Sequence, residues 1–79
     1  MKHMMEKLRD LREDNDLTQE EVAKHLGTSQ TMYARYEREA NELPIRHLIT
    51  LCQLFNVSAD YLLDIKKDKK REIGKIKNR

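Results

Sequence analysis

The sequence predicts an all-α protein, a compact five-helix domain that contains a helix-turn-helix. Three observations predict it. Apolar residues recur three and four apart along most of the 79 residues. Serine, threonine, proline and glycine punctuate that pattern where helices would start and stop. Residues 17–37 hold two short helical segments joined through Gly27, the geometry in which a second helix crosses the first and presents its outer face.

The elements follow in order. Across residues 2–14, Met4 or Met5, Leu8 and Leu11 give an amphipathic first helix, which Asn15 and Asp16 interrupt. Thr18 and Glu21 form a Thr-x-x-Glu capping box for a second helix running to about Leu26. Val22 and Leu26 would be buried there, small Ala23 would allow a close helix crossing, and Gly27 suits a positive-φ turn. Ser29 caps the third helix, residues 30–37, in which Tyr33 and Tyr36 lie three apart and share an inward face against Leu8, Val22 and Leu26. Residues 39–43 form a loop, and Pro44 suits the first turn of a fourth helix buried through Leu48, Leu51, Cys52 and Phe55. Ser58 caps the fifth, with Tyr61, Leu62 and Ile65 as its apolar positions. The short joints suit a compact helical domain.

Composition narrows the function classes. Seventy-nine residues allow one domain of modest stability. The expected division is a helical domain over residues 1–65 and a basic tail or helix extension over 66–79, weakened as a helix by Gly74. The net charge of +2 is unevenly spread: residues 66–79 carry +6, which leaves −4 for the rest. The tail is therefore either a source of non-specific attraction to a polyanion or a solubilising terminus. A single cysteine, Cys52, excludes an intrachain disulfide and fits a reducing, cytoplasmic setting. No apolar run reaches 18 residues, so neither a membrane span nor a signal peptide is expected. Ser29, Ser58 and Thr18 are explained as caps, and His3, His25 and His47 lack metal-ligand spacing. Catalytic residues, metal and cofactor are all expected to be absent, and the chain is not expected to be an enzyme.

With both tyrosines inward, the opposite side of the third helix carries Gln30, Thr31, Ala34 and Arg35. Those residue types can read base edges in the major groove. Gln30 can pair bidentately with adenine, Arg35 with guanine, and the methyls of Thr31 and Ala34 can meet thymine, each good pair discriminating by about 1–3 kcal/mol. Any solvated helix can also carry such residues, and it is the helix-turn-helix around them that favours readout. Gln19, at the start of the second helix, is a candidate for the phosphate backbone because a helix amino terminus favours an anion. Arg38 is the best basic candidate, with Arg46, Lys24 and His25 weaker and Lys7 or Arg9 at the edge. Arg12 and Glu37 are either ordinary surface charges or, if the first and third helices cross, an ion pair.

Several linked motifs resemble the Cro/C1-type (xenobiotic-response-element type) helix-turn-helix regulators. They are Leu11-Arg12-Glu13, residues 17–23 (LTQEEVA), residues 26–30 (LGTSQ), Tyr36-Glu37-Arg38, Pro44 and residues 55–63 (FNVSADYLL), and the stretch that holds them, from about Leu8 to Leu63, is some two-thirds of the chain. The resemblance implies a lambda-repressor-like five-helix domain that binds double-stranded DNA at a pseudo-palindromic operator, as a homodimer at least on DNA. It implies Gln19 on a phosphate, Gln30, Thr31 and Arg35 facing bases, an Arg12–Glu37 bridge, and dimerisation near the fourth and fifth helices. Three positions depart from the family pattern: Glu39 and Asp64 stand where glycine is usual, and Tyr33 where a smaller aliphatic residue is usual. Asp64 would let the fifth helix run on into the tail, and the Tyr33 ring is expected inside with its tip near the surface. The expected role is transcriptional repression. The alternative is an antitoxin-like or accessory dimerisation module, with weak or non-specific DNA binding and a further protein partner.

Overall fold

The structure, a computed structural model, describes residues 3–64. The expectations for Ile65 and for the basic tail of residues 66–79 lie outside the described residues. The described chain forms five helices: α1 (Met4–Asp14), α2 (Gln19–Leu26), α3 (Gln30–Glu37), α4 (Ile45–Phe55) and α5 (Ala59–Leu63).

The caps read from the sequence are present. The Glu21 amide donates to Thr18 Oγ1 at 3.0 Å and the Thr18 amide to Glu21 Oε1 at 2.8 Å, so two orphan donors at the start of α2 are satisfied reciprocally. Ser29 Oγ accepts from the Met32 amide at 3.1 Å, and Ser58 Oγ from the Tyr61 amide at 3.0 Å. Gly27 closes α2 at φ 74°, with the Thr28 amide bonded back to the Ala23 carbonyl at 3.0 Å. A Cβ on Gly27 would meet nothing within 4 Å, so backbone conformation, not space, favours glycine there.

Among the described residues, four other than glycine adopt positive φ: Asp16, Glu39, Asn56 and Asp64. Asn and Asp accept this conformation more readily than other side chains. Asp64, at φ 56°, therefore caps α5 at Leu63, correcting the expectation that its replacement of glycine would prolong that helix. Pro44 serves as the N-cap of α4 and not inside its first turn, and its carbonyl accepts from both His47 and Leu48.

One core joins the helices. Met5 and Leu8 from α1 meet Val22, Ala23 and Leu26 from α2, Tyr33 and Tyr36 from α3, Leu51 from α4 and Leu62 from α5. Tyr33 is fully buried, and its ring meets that of Tyr36 edge-on at 6.4 Å between centroids. Burial of such a side chain contributes about 2–3 kcal/mol by transfer from water, enough to fix which face of an eight-residue helix turns inward. Contrary to the expectation of a tip near the surface, the Tyr33 hydroxyl is buried and, among the described residues, has no hydrogen-bond partner of good geometry.

Further departures from the periodic reading concern α4 and α5. His47 is buried at 6% exposure, edge-on to Tyr36 at 5.9 Å, whereas Leu48, Cys52 and Phe55 are only half-buried. Tyr61 is half exposed, covered on one face by Lys7, whose Nζ sits 4.8 Å from the ring centroid. Lys7 Nζ also donates to the Tyr61 carbonyl at 2.7 Å, so this lysine ties α1 to α5.

Candidate nucleic-acid interface

Because Tyr33 and Tyr36 occupy the core, α3 turns its other side outward. Gln30, Thr31 and Arg35 are exposed, Ala34 is half-buried between them and the core, and Met32 lies at the border. The caps of α2 and α3 take the amide of the third residue in each helix. Those of the first two have no acceptor within the helix and suit an outside anion.

A relay of polar side chains connects this face to the interior. Arg12 Nε donates to Glu37 Oε2 at 2.8 Å and Arg12 Nη2 to Glu37 Oε1 at 3.2 Å, a two-pronged ion pair between α1 and α3. Its side chains are only 12% and 4% exposed, which excludes the surface-charge reading. Arg12 Nη1 also donates to the Leu17 carbonyl at 3.0 Å, fixing the start of the segment leading into α2. Gln19 Nε2 donates to Glu37 Oε1 at 2.9 Å, and Gln30 Nε2 to Gln19 Oε1 at 2.8 Å. The first residues of α2 and α3 are thus side by side. Gln30 retains its carbonyl oxygen and one amide hydrogen, the acceptor–donor pair that an adenine edge requires.

Electrostatics follow from this burial. Burial alone would raise the Glu37 carboxyl, but hydrogen bonds from Arg12 and Gln19 and the Arg12 charge hold it below its ordinary value. The hydrogen bond to Glu37 raises the Arg12 guanidinium against the opposing effect of burial. Burial, and then the nearby Glu37 charge, push the Tyr33 phenol far upward, so it stays neutral. Burial lowers His47, with a smaller contribution from Arg46.

The basic residues expected on phosphate are less tightly grouped. Lys24 lies in the last turn of α2, Arg38 at the C-cap of α3 and Arg46 in the first turn of α4; all three are exposed, and none joins the relay. Lys7, a candidate at the edge, is engaged with Tyr61. Sequence reasoning missed one participant altogether. Asn41, in the loop after α3, accepts from Arg35 Nε through Oδ1 at 2.8 Å. No periodic signal marks it, since a loop residue six positions beyond Arg35 has no fixed direction until the chain reverses.

A helix-turn-helix family pattern matches residues 8–62, spanning all of α2 to α4 and most of α1 and α5. The chain belongs to this helix-turn-helix family and has the Cro/C1-like fold, a class of regulators and not of enzymes. Among particular proteins, it is similar to two from Bacillus subtilis (strain 168), each described as an uncharacterized HTH-type transcriptional regulator. One, YobD, is 36% identical over 63 residues, covering 80% of this chain and 56% of that protein. The other, YqaE, is 36% identical over 58 residues, covering 73% and 50%. The chain thus spans about half the length of these curated relatives. A solved structure of the P22 c2 repressor, in complex with a synthetic operator, superposes with a TM-score of 0.72 at 28% identity, covering 80% of this chain and 96% of that one.

Proposed function

We propose that this chain binds double-stranded DNA in a sequence-specific manner and acts as a transcriptional repressor, with α3 in the major groove. The observation that carries the proposal is the outward face of α3, where Gln30, Thr31 and Arg35 stand exposed opposite two buried tyrosines. Gln30 reads adenine, Arg35 reads guanine, and Thr31 and Ala34 contact thymine methyls. Gln19 and the first amides of α2 and α3 hold one phosphate, while Arg38, Arg46 and Lys24 supply weaker backbone contacts. The Arg12–Glu37 pair acts structurally, fixing α3 against α1. The similar P22 c2 repressor, solved with an operator, supports this reading.

The partner is a pseudo-palindromic operator, bound by a homodimer. Exposed apolar side chains on α4 and α5 support the dimer: Ile45 is 74% exposed and Ile49 52%, one turn apart, with Tyr61 and Leu63 on the adjoining helix. Among the described residues no helix is long and apolar enough to cross a membrane, and the proposed setting is the cytoplasm.

Selection from randomised duplexes tests the proposal. A two-fold symmetric consensus, with preference at one position per half-site relaxed by Arg35→Ala, is the expected result. Binding that falls steeply with salt but selects no sequence would support the accessory interaction module instead.

A further inference from the structure

We infer that Asn41 is a positioning residue for base reading by Arg35, holding the guanidinium by its Nε so that both terminal nitrogens remain for a guanine edge. The inference rests on the proposed role of Arg35 in the major groove and names a residue outside α3 on which that role depends.

The argument begins with the chain reversal after α3. Glu39 takes a left-handed conformation at φ 62°, and its amide bonds to the Tyr36 carbonyl at 3.0 Å. The reversal carries the next two amides back to one acceptor. Ala40 N donates to the Arg35 carbonyl at 2.9 Å, and Asn41 N donates to the same oxygen at 3.4 Å. The backbone of Asn41 is therefore fixed to Arg35 itself. Its side-chain oxygen then accepts from Arg35 Nε at 2.8 Å. Two backbone links and one side-chain link thus join this loop to one residue of α3.

Chemistry assigns the consequence. An exposed arginine samples many rotamers and loses them on docking, so a bond that restricts it beforehand strengthens the docked contact. Arginine carries five N–H donors, and Asn41 uses the single one on Nε. Four remain on the two terminal nitrogens, which form the fork that matches guanine O6 and N7. Asn41 is neutral, so it orients the cation without cancelling it beside a polyanion. A carboxylate there would preserve the acceptor but repel phosphate.

The test uses the full chain and competition between duplexes that differ only at the base pair whose preference Arg35→Ala abolishes. Asn41→Ala should reduce discrimination at that base pair by about three- to tenfold, the size of one ordinary hydrogen bond, and leave other positions unchanged. In the Arg35→Ala background it should have no further effect. Asn41→Asp, which retains the acceptor, should restore discrimination while lowering affinity for every duplex alike. Thermal denaturation of each variant checks that the fold persists, and Asn41→Asp carries the test if Asn41→Ala fails to fold. Unchanged discrimination in Asn41→Ala, or an equal loss of discrimination at base pairs that Arg35→Ala leaves unaffected, overturns the inference alone. Tighter binding by Asn41→Ala would mean that the bond sequesters Arg35, and overturns it too. If the wild-type chain selects no sequence, or Arg35→Ala changes no base preference, the base-reading role of Arg35 fails and this inference with it.

Discussion

Replacing Arg12 with methionine is the most informative perturbation of the fold beneath the site. Methionine keeps most of the side-chain stem, so the change mainly removes the guanidinium. Glu37, whose side chain is 4% exposed, would lose both hydrogen bonds from Arg12 and retain the one from Gln19. Stranding one member of a fully buried pair costs about 3–5 kcal/mol. Arg12 still has 12% of its side chain exposed, so the lower end applies, about 3 kcal/mol. For a domain of this size that corresponds to a fall in Tm of roughly 12–24 °C. Urea denaturation followed by far-UV circular dichroism should show the midpoint shift with an unchanged slope. The double change Arg12→Met with Glu37→Leu should cost less than Arg12→Met alone, because no charge is left stranded. A loss below about 1 kcal/mol in Arg12→Met, the range of exposed pairs, would refute the reasoning. The pH dependence supplies a second sign. Glu37 is held below its ordinary value of 4.5, so its stabilising contribution is present above that value and is lost as pH falls through the folded value. Without Arg12, burial dominates and this contribution should reverse.

Three other outcomes are expected. Glu39→Gly should stabilise the fold by about 0.5–1 kcal/mol in thermal or urea denaturation, since glycine relieves a left-handed backbone at φ 62° but costs more chain entropy; destabilisation would show that the Glu39 side chain has a role of its own. Burial lowers His47 from 6.5, so the unfolded chain binds its proton more readily, and stability should fall as pH drops from 6.5 towards the folded value, by at most about 1.4 kcal/mol per pH unit. His47→Gln should remove that component, as measured by Tm across the same pH range. Arg38→Ala should weaken binding to all duplexes alike and reduce the slope of log K against log salt by about 1; a changed consensus would place Arg38 on a base instead.

The parts of this fold that could be read from the sequence are those governed by local geometry. Thr18, Ser29 and Ser58 each act on an amide three residues away, and Gly27 answers a single backbone angle, so no knowledge of tertiary packing is needed. The tyrosine spacing in α3 gave its inward face for the same reason. Tyr61, expected among the apolar positions of the fifth helix, is half exposed, and His47, outside the expected apolar stripe of the fourth, is buried, because side-chain class alone does not decide burial. His47 packs on Tyr36, while Tyr61 yields the interior to Leu62 and accepts Lys7 as a cover. In the candidate site, the exposed residues of α3 followed from periodicity, whereas the Gln19–Gln30 contact and the Arg35–Asn41 contact depend on how separate segments meet. Asn41 lies in a loop that no periodicity marks, and only the left-handed turn at Glu39 brings its acceptor to Arg35.

The most direct test of α3 as the reading element is a side-chain NMR titration of the chain with its selected duplex. The largest shifts should fall on the amide groups of Gln19 and Gln30 and on Arg35 Nε, with the buried Tyr33 and Leu8 little changed. Shifts concentrated on Ile45, Ile49 and Tyr61, with Gln30 and Arg35 unmoved at saturation, would contradict the account.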